Sequence, residues 1–204
     1  MKIKTLQILP VGLFTIACLV QACSSDQNKT HADSSMTSHT MHHDTAAAES
    51  SDTMKNGTAV NKFLEQAAVG GMVEVEMGKI GQQKATMPGI KEFAAVIEKD
   101  HLQANAELKS LAALKSFKLP AALPASKEEH LADLSNSTGK DFDSYYVNMM
   151  VEDHITDIAL FEGATKSPDT AVAAFAAKVL PVLQKHYKMA REFSMKFDQN
   201  KNKK

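Results

Sequence analysis

Two segments of the chain share one arrangement. Ile97-Glu-Lys-Asp100-His101 and Met150-Val-Glu-Asp153-His154 both run apolar, two residues, Asp, His. An imidazole paired with a carboxylate is a common unit of metal sites: the acid either accepts from the second ring nitrogen or faces the ion itself. A third imidazole, His186, and an acid among small and apolar residues, Glu74, lie elsewhere in the chain. A separate group stands near the N-terminus, Met36-Thr-Ser-His39-Thr-Met41-His42-His43, with His31 a few residues earlier. Thioether and imidazole together suit soft or borderline ions such as copper. The same stretch also reads as a polar spacer in which nothing fixes ligand geometry.

The elements that must position these groups are helices. From Asn61 onward, apolar residues recur three and four apart, and no run alternates with period two. The pattern predicts a first helix over about 61–85 and a second from Pro88, a good first helical residue, to about Lys118. Ser126-Lys-Glu-Glu129 has the form of a capping box and predicts a short helix, interrupted over 136–139. A third long helix is expected over about 140–162 with Gly163 at its exit. A fourth follows Ser167-Pro168-Asp169, with Ser as cap and a kink at Pro181. The fold class is therefore all-α, an antiparallel four-helix bundle with a short extra helix before the third long one.

On these helices the singled-out residues fall in line with core stripes. Ile90, Ala94 and Ile97 lead to His101, and Val172, Ala176, Val179 and Leu183 lead to His186. Asp153 follows Tyr146 and Met149 in the inward phase, with His154 one step round. Glu74 lies in a stripe of mostly small residues, and the glycines at 70, 71, 78 and 81 suggest close approach of a neighbour or room for something bound. Polar groups buried without partners cost several kcal/mol, so these must meet one another or an ion. Two readings stand: a transition-metal site built from Glu74, Asp100, His101, Asp153, His154 and His186, or a metal-free polar network that sets helix register. Imidazole-rich ligation suits iron, copper or zinc better than magnesium or calcium.

The N-terminus addresses the chain. Met1-Lys-Ile-Lys4 precedes an apolar run of about fifteen residues, too short for a membrane span and typical of a secretion signal. Leu19-Val-Gln-Ala22-Cys23 resembles the cleavage box of bacterial lipoproteins, in which Cys23 becomes the acylated first residue. The expected organisation is a signal peptide (1–22), a disordered tether (23–60), a helical domain (61–198) and a Lys/Asn-rich tail (199–204). The lipid at Cys23 would hold the domain to a membrane of the cell envelope, most consistently the outer membrane, facing periplasm or cell surface. With Cys18 removed and Cys23 acylated, thiolate metal sites, disulfides and cysteine nucleophiles are excluded. A formal charge of −1, a single arginine (Arg191) and no tryptophan argue against a nucleic-acid partner. No serine sits in a Gly-x-Ser-x-Gly elbow, which leaves a hydrolase without support.

Four segments carry a family resemblance: Phe63-Leu-Glu-Gln-Ala-Ala-Val-Gly-Gly-Met-Val-Glu-Val-Glu-Met-Gly-Lys79, Asp100-His101 with Asn105, Phe142-Asp-Ser-Tyr145 with Asp153-His154, and Leu180-Pro-Val-Leu-Gln-Lys-His186. Over about 61–190 the chain resembles the bacterial envelope family known as domain of unknown function 4142 and labelled "predicted outer membrane protein". The resemblance implies a ferritin-like fold and an envelope location, and it implies no activity. Di-iron ferritin-like proteins use a Glu on two helices and Glu-x-x-His on the other two. Glu98-x-x-His101 has that spacing, but Leu183 stands three before His186. The expected function is a lipid-anchored ferritin-like protein that binds a transition metal for buffering, storage or oxidation. The alternative is a non-enzymatic envelope stress or interaction module. Neither identifies a protein partner or a reaction.

Overall fold

The computed structural model describes the backbone of residues 46–201 and the side chains of 56–199. Five helices make up the described residues: α1 (Ala46–Lys84), α2 (Pro88–Leu114), α3 (Ala125–Asn136), α4 (Gly139–Ala164) and α5 (Thr170–Lys201). The fold is all-α, with no strand among the described residues. None of these helices is long and apolar enough to cross a membrane. The expected leader, Cys23 and the His/Met group at 36–43 lie outside the described residues.

α1 starts before the expected Asn61. Its first turn is built on three alanines, the best helix formers, and Val60 is already part of the core. α2 begins at Pro88 as predicted, where the missing N–H costs nothing. α2 ends at Leu114, short of the predicted Lys118, and three predicted caps change. Pro124, not Ser126, caps α3: its carbonyl accepts from Lys127 and Glu128, which puts Ser126 inside the first turn. Asp169, not Ser167, caps α5. Its Oδ1 accepts from the N–H groups of Ala171 and Val172 at 3.1 and 3.2 Å, and its other oxygen pairs with Lys115. α4 runs past Gly163 to Ala164, and Thr165 forms the cap in a right-handed conformation, so no glycine exit is used. Pro181 lies exposed inside α5, which runs on through it.

α1 packs on α2 and α4, α5 packs on α4 and α2, and the short α3 lies against α1 and α4. The α1–α2 approach is close because Gly78 permits it: a Cβ there would lie 2.9 Å from the backbone nitrogen of Glu98. The buried carboxylate of Asp143 on α4 ties down the α1–α2 connector. It accepts from the N–H groups of Thr86 (2.8 Å) and Met87 (3.0 Å) and from the Thr86 hydroxyl. This fixes where α2 starts and hence how far along the core His101 falls.

The apolar core has two parts. One gathers Phe63, Leu64, Leu108, Phe161, Phe175 and Leu183; the other gathers Met77, Ile90, Phe93, Phe142, Tyr146 and Met150. On α2, α4 and α5 the gap between them holds residues 101, 154 and 186.

Candidate metal centre

Spacing of three and four residues along α2 and α5 carries His101 and His186 into the core, as the stripes predict. Both are buried. On α4 the inward residue is His154, fully buried, while Asp153 is half-buried at the border. The predicted inward residues Phe142, Tyr146 and Met149 are buried, but the next buried position is His154, which continues the Val147–Met150 line, rather than Asp153. Glu74 reaches the same point from α1 with 1% of its surface exposed.

The three imidazoles form a near-equilateral triangle. Their ring centroids are 5.7 Å (His101–His154), 5.4 Å (His101–His186) and 5.3 Å (His154–His186) apart. One nitrogen from each ring lies within 4.8 Å of the other two. Nitrogens sharing an ion at about 2.1 Å stand no more than about 4.2 Å apart, so a small closing movement brings all three into range.

Hydrogen bonding anchors one nitrogen on each of two rings. His154 Nδ1 is 3.0 Å from the carbonyl oxygen of Met150, which can only accept, so Nδ1 carries the proton. His186 Nε2 is 3.0 Å from Asp100 Oδ2 and donates to it. His101 Nδ1 is 2.9 Å from Glu74 Oε2, and His154 Nδ1 is also 3.2 Å from Glu74 Oε1. Neither Glu74 contact is aligned as a hydrogen bond, so both carboxylate oxygens stay unsatisfied. The remaining ring nitrogens, Nε2 of His101 and His154 and Nδ1 of His186, are buried with no hydrogen-bond partner. Three buried imidazoles with unpartnered nitrogens, beside an unsatisfied carboxylate, form a donor set for a cation.

Charge states agree with that reading. Burial lowers all three imidazoles to about 4, so they are neutral at pH 7 and present lone pairs. Burial raises Glu74, and the charge of His154 opposes the rise. Asp157 on α4 is raised as well, first by burial and then by the negative charge of Glu74. The interaction between the two carboxyls favours the charged form of Glu74 and the protonated form of Asp157. The Tyr146 hydroxyl is buried without a partner, and burial, then Glu74, raises it. A cavity of about 20 Å³ touches Glu74, His101, Asn105 and Asp157, enough for one water-sized guest.

Of the six expected ligands, His101, His154 and His186 come together as one cluster, and Glu74 lies against the Nδ1 atoms of two of them. Asp100 stands behind His186 as its hydrogen-bond acceptor. Asp153 lies in the field of Lys127 and His130 of α3, and one of its oxygens is buried without a partner. Asp157 escapes a search for Asp-His pairs, although it lies three residues after His154 on the same helix face. Residues 43–193 match the model of the family described as domain of unknown function (DUF4142). The chain belongs to this family. No curated protein and no solved structure matches it. The family description assigns no reaction, so the donor set is the chemical information available about its role.

Proposed function

We propose that the chain is a ferritin-like antiparallel four-helix bundle, anchored in the cell envelope by lipid at Cys23, that binds a transition metal between its two apolar cores. His101 and His154 through Nε2, His186 through Nδ1, and Glu74 are the ligands; Asp100 and Asp157 orient and neutralise them. The observation that carries this reading is the triangle of neutral imidazoles, each with one nitrogen anchored or facing a carboxylate and the other buried and unpaired. An N₃O set of this kind suits zinc, copper or iron. The ion would supply Lewis-acid or redox chemistry according to its identity, and the bundle would supply a desolvated cage for buffering or storage.

The test uses the chain with His31, Met36, His39, Met41, His42 and His43 changed to Ser, which removes the tether's His/Met group from the readout. Near-stoichiometric Zn²⁺, Cu²⁺ or Fe²⁺ by elemental analysis, lost in His101→Ala and His186→Ala variants that keep their helical circular dichroism, supports the site. A parent that stays metal-free after reconstitution sinks it and leaves the metal-free network of the alternative reading.

A further inference from the structure

Taking the core metal site as given, we propose that the cation reaches it through the cleft between α2 and α5, landing first on Asp100, with the Glu107–Lys178 ion pair as the gate. The four converging side chains are sealed from water: Glu74, His101, His154 and His186 are at most 6% exposed. Asp100 differs. Its side chain is 26% exposed and lines a cleft of about 110 Å³, while its Oδ2 touches His186 Nε2 in the core. One carboxylate thus faces both solvent and a ligand ring. A cation held by Asp100 is already beside the triangle.

The rest of the cleft suits a hydrated cation. Gln103 and Glu107 add oxygen acceptors, and Lys178 from α5 supplies the one lysine of its lining. Lys178 Nζ bonds both oxygens of Glu107, at 2.7 and 2.8 Å, joining α5 to α2. In place, the lysine ties up one acceptor and repels an incoming cation. An exposed pair of this kind contributes little stability, so it opens readily. The wall behind the cleft is thin. Ala104 and Val179 line both the cleft and the 20 Å³ cavity beside Glu74 and His101.

The rival way in is poorer. A larger groove of about 520 Å³ on the α1 side of α2 meets the inner cavity at Asn105 and Leu108. Its lining includes Ala68, Met72, Ala112, Phe117, Leu119 and Pro120, with no carboxylate. A divalent cation shedding water finds only the Asn105 amide as a side-chain ligand there, with Lys109 and Lys118 to repel it.

Stopped-flow uptake of Zn²⁺ from a chromophoric chelator, by the same Ser-substituted chain, tests the route. Lys178→Ala is expected to raise uptake and release rates together, on the order of threefold to tenfold, with Kd unchanged. Lys109→Ala removes the same charge at the opposite groove and is expected to change little. Gln103→Lys, which adds a cation at the cleft, is expected to slow uptake. Equal rates in Lys178→Ala and the parent, or acceleration by Asn105→Ala alone, would overturn the route while leaving the metal site standing. A parent that binds no Zn²⁺ overturns both.

Discussion

The apolar cores and the polar layer between them are equally buried but held together differently. Around Leu64 and around Phe93, the contacts are mainly apolar, with most rings at edge-to-face or tilted angles such as the 5.2 Å Phe63–Phe161 pair. In the layer, four helices each contribute a polar group. Partners satisfy only the outer atoms, leaving the inner nitrogens of three imidazoles and both oxygens of Glu74 unpaired. The cores supply the free energy of folding, and the layer spends some of it on a preformed donor set. A core optimised for stability alone would not keep it.

That contrast can be broken from either side. The largest effect is expected in the cores: Leu64→Ala or Phe93→Ala, at fully buried positions, should lower unfolding free energy by about 2–5 kcal/mol with or without metal, measured by urea titration. The layer should behave oppositely. Replacing Glu74, His101, His154 and His186 together with Leu should leave the metal-free protein as stable or stabilise it by about 1–4 kcal/mol, while abolishing metal binding. A marked loss of stability instead would show that the network holds the fold together. Asp100→Asn should lower metal affinity by about 10–100-fold in a chelator competition, because it weakens the acceptor that orients His186.

The smallest effect is a pH profile. The imidazoles, lowered on folding from 6.5 to about 4, contribute stability that is present above 6.5 and lost as pH falls through about 4. Glu74 and Asp157, raised on folding, contribute in the opposite sense, losing stability as pH rises through their raised values. Three imidazoles outnumber two carboxyls below 6.5, and only the carboxyls act above it. The melting temperature of the metal-free protein should therefore peak near pH 6.5 and decline on both sides, by roughly 1.4 kcal/mol per pH unit for each uncompensated proton. Bound metal should flatten the alkaline decline by neutralising Glu74. A metal-free profile that is flat from pH 5 to 8 would contradict the assigned charge states.

Much of the scaffold is legible in the residues. The stripes through His101 and His186 predict their burial because periodicity reports one face of a helix directly. The short helix after the connector also follows from local signals. Its cap does not: the carbonyl of Pro124 starts the hydrogen bonding two residues before the capping-box serine. On α4 the choice between Asp153 and His154 is one helical step, about 100° of rotation, which hydrophobicity on a helix with apolar residues on several faces cannot resolve. Packing settles it for His154. Asp157 is invisible for a related reason: a carboxylate beside Ile158 reads as surface until Glu74, from another helix, is seen to line the same buried cavity.

The sequence by itself determined that the chain is helical, that it belongs to this family, and that imidazoles and a carboxylate point inward, because each depends on local pattern and residue type. The tertiary structure decided which of them meet. Convergence of residues 74, 101, 154 and 186 needs the close α1–α2 contact at Gly78, the Asp143 tie on the connector and the relative phase of four helices. Those are set by packing between segments far apart in the chain, on which spacing within any one helix is silent.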